Sequence, residues 1–592
     1  VAMAISAIPT GLPTFVQAML AYGANQLAEA KAVVKNLTDV ETLGATSAIN
    51  SDKTGTLTMN EMMVSTLYYR GRWFTVEGSG YSKTGKIRHT AGVDEPDFPR
   101  LAYGLALDSD ATVSDDGAVV GDPTEAALVV LAAKVGVDAE DTRRAYPRVA
   151  EVPFDSAYKF MATYHIAPLE VGEPDSLIGL VKGAPDVVLD RCANAWWDDR
   201  IVPIADVRAQ LDQANRELAE QGLRVMSFAY RQWPTSAQHE IKADPMAGIH
   251  DLVFVALVGI IDPLRPAAKE AVRIAHKAGI EVRMITGDHA VTARAIGGDL
   301  GLGPGVITGP EFQKLSDDLL AERLPRLHVF GRVAPEDKLR LVSVMQDRGE
   351  IVAMTGDAVN DAAALKKADV GVAMGSGAEV SKQAARMVLT DDNFSTLVHA
   401  IELGRDIYGK ITAQIRYVMA GLFGVLLLMV LASLFGVNDG NVLSPVQLLF
   451  VTFFIGIFPA IGISTDSSEP GIMDLPPRAP SKTILNGRTT PRWLVFGLSQ
   501  ALVGLAPFVY PEELPVNIQQ TLAFAIVAVS TIFMAVSLRR DVIPAWHGPY
   551  FPFFKWMAIP GFVTWLAIEW PLFQALLMTT SLSGQQWASA IT

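Results

Sequence analysis

The sequence predicts a multidomain α/β protein joined to a bundle of membrane helices, and three observations predict it. At 592 residues the chain is too long for one hydrophobic core. Its apolar residues concentrate in 1–22 and again from 407 onward, leaving a mixed, charged stretch between them. Within that stretch, short strand-like runs end in loops bearing Asp52, Asp288 and Asp357, the pattern of a parallel sheet with its site at the carboxyl ends of the strands.

Composition removes several function classes. A net charge of −14 argues against nucleic acid as a partner. The single cysteine, Cys192, excludes a disulfide framework and a multi-cysteine metal site. The first twenty residues lack a basic leader and contain Pro9 and Pro13, so no signal peptide is expected. The chain opens on Val1 inside an apolar run, and a fragment of a longer protein is expected.

The apolar runs of bilayer length are Val1–Tyr22, Ile407–Phe435, Leu443–Ser464, Trp493–Tyr510, Thr521–Leu538 and Phe553–Leu577. A last one, from about Gln585, is too short to span before Thr592. Basic residues alternate between the connections. Arg405, Lys410 and Arg416 precede the second run, Arg478, Lys482, Arg488 and Arg492 lie between the third and fourth, and Arg539 and Arg540 follow the fifth. The loops 436–441 and 511–517 have no Lys or Arg. By the positive-inside rule the basic side is cytoplasmic, and so is the soluble insert at about 25–400. The expectation is a multi-pass protein of the cell membrane with its soluble domains where ATP is available.

The strongest chemical signal is Ser51-Asp52-Lys53-Thr54-Gly55-Thr56-Leu57-Thr58, led in by the strand-like Thr46–Asn50. A carboxylate at a strand end, followed by a tight glycine turn, is presented as a nucleophile, and Asp52 can attack a γ-phosphate to form an acyl phosphate. Lys53, Thr54 and the turn amides can hold phosphoryl oxygens. Thr286 in Met284–Asp288 can bind another, with Gly287 and Asp288 in the same loop, and Lys338 can neutralise charge as the phosphoryl group transfers. Asp357 and Asp361, flanking Asn360 after the buried-strand run Ile351–Met354, suit an oxygen-liganded Mg²⁺. Asp52 and Thr54 complete the expected metal set.

These motifs resemble those of the P-type ATPases, and the resemblance runs over nearly the whole chain, closest to the calcium-pump branch. It implies a haloacid-dehalogenase-like phosphorylation domain from 25–60 and 263–400, an inserted α+β nucleotide-binding domain at 61–262, a broken membrane helix at 1–24 and C-terminal membrane helices at 401–592, the last one cut. The family's nucleotide-domain marks appear as Gly121–Glu125, Pro153–Ser156, Lys159, Lys182-Gly183-Ala184 and Gly222-Leu223-Arg224. Phe154 offers a face for adenine. Lys159, Lys182 and Arg224 offer positive charge to phosphates, Glu125 offers an acceptor, and Gly183 belongs to the same set. Asp262–Pro266 reads as the hinge back to the phosphorylation domain. No G-x-x-x-x-G-K-[ST] loop occurs, which favours the aspartyl-phosphate route. One departure is Ala358, where the family usually has Gly, and its methyl is expected to tighten the loop.

The resemblance also implies transport of an ion, a cation by branch. The first run carries Pro9-Thr10-Gly11-Leu12-Pro13, a helix break that frees carbonyls to line a site, so Pro9, Thr10 and Thr452 are the candidate transport ligands. The branch's acidic ligands do not carry over. Its Asn and Glu in the second run align with Leu422 and Val425, and its Asn, Thr and Asp in the third align with Thr452, Ile455 and Gly456. Phe533 stands near where a Glu is expected in the fifth. The alternative is therefore a pump-like ATPase with an altered or lost cation site, acting on another solute or in a regulatory role. The family's actuator domain and first membrane helices are expected to be missing, since no Thr-Gly-Glu occurs; phosphoenzyme formation without efficient turnover is expected of this stretch alone.

Overall fold

The fold was analysed in a computed structural model. It describes residues 12–592 except 79, 91–97, 169–175, 289, 480–489, 510–513, 541–543 and 545–550, and excludes the side chains of Thr14, Phe551 and Pro552.

The buried-strand runs form one eight-stranded sheet. Its strands, in chain order, are β1 (Ala32–Val34), β2 (Ala48–Asp52), β3 (Glu281–Thr286), β4 (Val306–Thr308), β5 (Val329–Gly331), β6 (Val352–Gly356), β7 (Val370–Met374) and β8 (Met387–Leu389). The spatial order is β1-β8-β7-β6-β2-β3-β5-β4. All pairings are parallel except β1 with β8. Helices cover both faces, so the inner strands are almost wholly buried. Because β2 lies between β3 and β6, the loops that leave these three strands open at one edge.

A second, antiparallel sheet holds Met63–Tyr69, Arg72–Val76, Ile87–His89, Ala150–Asp155, Phe160–Ile166, Ser176–Gly183, Arg224–Pro234 and Leu252–Ile261 along its main path. The strands Met63–Tyr69 and Leu252–Ile261 pair side by side, so the two chain crossings into this sheet lie together. Asp262 binds both crossings: its Oδ2 accepts from Thr58 Oγ1 at 2.5 Å and its Oδ1 from Glu61 N at 3.3 Å. Arg265 donates to the carbonyls of Thr58 and Gly55 at 3.1 Å each.

Helix α1 (Leu12–Glu29) runs past the expected boundary at 24 and leads through β1 into α2 (Asp39–Gly44). The second apolar run is the far part of a 41-residue helix, α3 (Phe394–Leu434), which begins against the parallel sheet. α4 (Thr490–Val509), α5 (Val516–Leu538) and α6 (Gly584–Ile591) follow. Among the described residues, four segments are long and apolar enough to cross a membrane: α3, Pro445–Ser464, α4 and α5. The run Phe553–Leu577 is not one helix. It breaks at Trp570, whose backbone is extended between Phe551–Glu569 and Pro571–Leu577, because Pro571 disfavours a helical residue before it. The run Leu443–Ser464 likewise carries a π-turn at Val451–Ile455.

Sheet and membrane helix meet through two glycines. A Cβ on Gly44 of α2 would lie 2.6 Å from the carbonyl carbon and oxygen of Gly404 on α3. Next to Gly404 at this joint, Arg405 is buried and donates to three carbonyls, Ile472 and Leu475 at 3.2 and 2.7 Å and Ala278 at 3.1 Å. Arg478 stacks over the Tyr408 ring at 3.8 Å and donates to its hydroxyl at 2.8 Å. The segment 472–478 thus clips the end of Pro266–Lys277 to α3.

Gly44→Ala should lower stability by about 1–3 kcal/mol, because backbone cannot yield to the added methyl. Gly409→Ala, with no atom within 4 Å of its Cβ, should instead hold or raise stability by up to about 1 kcal/mol. Thermal unfolding of the two variants in detergent checks both signs.

Candidate active site

Asp52 is the last residue of β2, with extended backbone, and Gly55 turns the chain at φ 72°, a conformation glycine adopts without strain. Two neighbours fix the strand end: Asp52 N donates to Thr355 Oγ1 at 3.1 Å, and the hydroxyls of Ser51 and Thr355 lie 3.1 Å apart. Thr355 was not singled out in the sequence as a site residue. Its signal was a hydroxyl in an otherwise apolar strand run.

Lys338 is the centre of the charge arrangement. Its Nζ lies 2.5 Å from Asp52 Oδ2 and 2.7 Å from Asp361 Oδ1. It projects from the first turn of Pro335–Asp347, whose N-terminus is closed by Asp337 Oδ2 accepting from Ala334 N at 2.9 Å. Asp361, fully buried, also accepts from Ala358 N at 3.2 Å.

Carboxylate oxygens of Asp52, Asp357 and Asp361 lie within 4.8 Å of one another. Burial raises the Asp52 carboxyl above its usual range, opposed by Lys338 and reinforced by Asp361. Asp357 is pushed up to about 6, first by burial and then by the charges of Asp52 and Asp361. Burial works to lower the Lys338 ammonium, but Asp52 and Asp361 outweigh it and hold it above the ordinary lysine range. Three carboxylates against one ammonium leave excess negative charge among hard oxygen donors. That donor set fits Mg²⁺.

Two expected phosphoryl-binding groups have protein partners here. Lys53 is buried and its Nζ donates to Asp288 Oδ2 at 2.5 Å, so it ties the 286–288 loop to the end of β2. Thr286 is buried with its Oγ1 accepting from Asp288 N at 3.1 Å, whereas Gly287 borders open space. Asn360 is exposed. Ala358 corrects the sequence expectation. It is exposed, with ordinary extended backbone (φ −93°, ψ 157°), so its methyl meets solvent and tightens nothing.

In the antiparallel sheet the expected nucleotide residues fall into pairs. Lys182 is buried and donates to Glu125 Oε1 at 2.7 Å and to the Asp108 carbonyl, so its charge is matched inside the fold rather than projected outward. Glu125 Oε2 accepts from Asp110 N and Ala111 N at 2.8 and 3.2 Å. Arg224 donates to Thr124 Oγ1 at 2.9 Å. Lys159 sits at φ 58° in the turn before Phe160, and a Cβ on Gly183 would lie 2.5 Å from the Lys159 carbonyl oxygen. Phe154 leaves 62 % of its surface exposed. Asp108 was missed: it is wholly buried beside Lys182, with Oδ1 accepting from Thr163 Oγ1 at 3.3 Å and its acidity suppressed chiefly by burial.

Of the transport candidates, Pro9 and Thr10 lie outside the described residues. Thr452 is exposed in the π-turn and donates to the Leu448 carbonyl at 2.9 Å, so its hydroxyl hydrogen is turned back onto its own helix.

Comparison with known proteins agrees with this geometry. Residues 100–267 match the model of the P-type ATPase cytoplasmic domain N, 340–401 that of haloacid dehalogenase-like hydrolases, and 440–592 that of the cation-transporting ATPase C-terminus. The chain is 36% identical to calcium-transporting ATPase 1 of Lactococcus lactis over 86% of its own length and 55% of that protein's. It is 37% identical to the probable cation-transporting ATPase F of Mycobacterium tuberculosis, over 92% and 61%. To the calcium-transporting ATPase of Bacillus subtilis it is 35% identical, over 100% and 67%. It thus spans between about half and two thirds of the length of these relatives. The chain belongs to the P-type ATPase family.

Proposed function

We propose that this chain supplies the phosphorylation, nucleotide-binding and C-terminal membrane parts of a pump of the cell membrane. ATP hydrolysis, through an aspartyl phosphate on Asp52, drives a cation across the bilayer. The observation that carries the reading is Asp52 at the carboxyl end of β2, held by Lys338 and within 4.8 Å of Asp357 and Asp361. The division of labour we propose is a phosphorylation domain from 25–60 and 263–400, a nucleotide domain at 61–262, and membrane helices at 1–24 and 401–592.

In this reading ATP lies between the two soluble domains, with adenine against Phe154 and the phosphates toward Asp52. An Asp52 oxygen attacks the γ-phosphorus, the bond from that phosphorus to the bridging oxygen breaks, and ADP leaves with the electron pair. Lys338 is already on Asp52 and can follow the charge onto the phosphoryl oxygens, while Thr54, Thr286 and the Gly287 backbone bind those oxygens. Asp52, Asp357, Asp361 and Thr54 would hold Mg²⁺, which when bound neutralises charge between the nucleophile and the phosphate. Lys182 and Glu125 serve from beneath, fixing the loop at 108–111, and Lys159 and Arg224 offer exposed positive charge.

The names of the relatives favour cation transport over the regulatory alternative. The absence of acidic residues at the aligned positions bears on which cation, not on the chemistry at Asp52.

Full-length protein incubated with [γ-³²P]ATP and Mg²⁺ should form an acid-stable, hydroxylamine-labile phosphoprotein, and Asp52→Asn should form none. Labelling that persists in Asp52→Asn would refute the assignment. Lys338→Met should slow phosphorylation by about a hundredfold or more, through loss of a desolvated charge at the transferring group. Rapid-quench kinetics reads that loss.

The pH dependence follows from Asp357. Its carboxyl must be ionised to hold Mg²⁺, and its raised value near 6 means protons compete as pH falls through that point. Apparent Mg²⁺ affinity should therefore drop between pH 7 and 5. In Asp357→Asn the affinity should be low throughout and nearly flat in pH over this range.

A further inference from the structure

The chain enters the antiparallel sheet through two consecutive backbone amides, and the two are bound differently. Glu61 N donates to Asp262 Oδ1 at 3.3 Å, on the return crossing, whereas Met62 N donates to the Tyr81 hydroxyl at 3.2 Å, within the inserted domain. The junction between hinge and domain therefore falls between these two residues.

Tyr81 reaches the crossing from the connection between the strands Arg72–Val76 and Ile87–His89. Gly80 permits the approach: it sits at φ 51°, and a Cβ there would collide with the Glu61 carboxylate. The Tyr81 ring packs on the cluster that holds Val113, Ala126, Val129 and Val130. The last three lie on the helix Pro123–Lys134, whose first turn carries Glu125, the partner of Lys182. The far end of this helix is fastened to the same connection, since Lys134 Nζ donates to the Glu77 carbonyl at 2.7 Å. One side chain thus has its ring on the helix of the expected nucleotide residues and its hydroxyl on the crossing that leads from Asp52. Burial raises the phenol above its ordinary value, the Met62 amide opposes this, and the charges of Glu61, Asp262 and Asp122 add to the rise, so the hydroxyl keeps its hydrogen.

We infer that Tyr81 is a positioning residue for phosphoryl transfer: its hydroxyl, through Met62, sets the orientation of the nucleotide domain relative to Asp52. The inference rests on the proposed transfer from ATP to Asp52. The phosphoryl group must arrive in line with the attacking carboxylate oxygen, and a small angular error at a hinge grows with distance from it. Removing the hydroxyl leaves the packed ring in place but releases the Met62 amide to water. The domain then keeps its fold and its nucleotide site and loses a fixed hinge angle.

Tyr81→Phe in the full-length protein tests this. Labelling of Asp52 from saturating Mg²⁺–[γ-³²P]ATP is followed by rapid quench, and affinity for Mg²⁺–ATP by equilibrium binding. A second donor, acetyl [³²P]phosphate, has no nucleoside for the domain to present; Asp52 attacks its phosphorus and acetate leaves with the electron pair. The variant should accept phosphate from ATP about tenfold more slowly. It should bind Mg²⁺–ATP as the parent does and label from acetyl phosphate at the parental rate. An unchanged rate from ATP, an equal fall from both donors, or a loss confined to affinity overturns the inference. Nitroxide labels at Val120→Cys and Glu379→Cys, exposed positions on the inserted domain and on the parallel-sheet domain, report the distance between the two in protein carrying Cys192→Ser. Tyr81→Phe should broaden that distance distribution, and an unaltered one overturns the inference. If the parent takes no label from ATP, the reading at Asp52 fails, and the distances alone decide whether Tyr81 sets the hinge.

Discussion

The bridge from Lys338 to Asp52 and Asp361 is the constraint on which the rest of the site depends. Without that ammonium, three carboxylates would share one small, half-desolvated space, and at neutral pH at least one would hold a proton. The bridge opposes the burial that raises the Asp52 carboxyl. The Lys338 charge also lowers Asp357, but burial and the charges of Asp52 and Asp361 outweigh it and leave that carboxyl at about 6. The electrostatics thus assign different tasks to identical side chains. Asp52 is paired directly with Lys338, while Asp357 is raised by burial and by two neighbouring carboxylates.

That geometry requires the order of strands. Asp52 and its partners come from four segments separated by as many as 309 positions, and only the placement of β2 between β3 and β6 brings their loops to one edge. The crossings into the antiparallel sheet leave from the same edge. Asp262 and Arg265 tie both crossings to the Gly55 turn, so the second sheet is anchored within a few positions of Asp52.

Much of this was legible in the sequence, and the limits have physical causes. A carboxylate at a strand end followed by a glycine turn is a local feature, so the placement of Asp52 and Gly55 and the nearness of Asp357 and Asp361 could be expected from the loops that carry them. Partner choice is not local. Lys53 and Lys182 read as free positive charges, but each is buried and matched, to Asp288 and Glu125, across 235 and 57 positions. Ala358 read as a tight spot because the sequence does not disclose that its backbone is extended and its Cβ faces solvent. In the membrane part, hydropathy located the runs but not their interruptions: one Pro after Trp570 splits a segment that composition alone makes continuous. Tyr81 escaped notice because a lone tyrosine in a connection has no motif. Only the fold brings its hydroxyl to the amide of Met62.

The remaining step is how chemistry at Asp52 can reach the bundle, and α3 is the physical link. Gly404, pressed against Gly44 at the foot of the parallel sheet, and Gly424, pressed against Gln500, lie on the same helix. Twenty residues of α-helix separate them, a rise of about 30 Å. At the first point backbone meets backbone with no side chain between, and at the second Gly424 meets the Gln500 side chain and the Gly497 carbonyl. Arg405 and the 472–478 segment fix the first contact to the end of the helix that precedes β3, the strand leading to Thr286. α3 is thereby tied at one point to the helix that leads into β3 and at the other to α4.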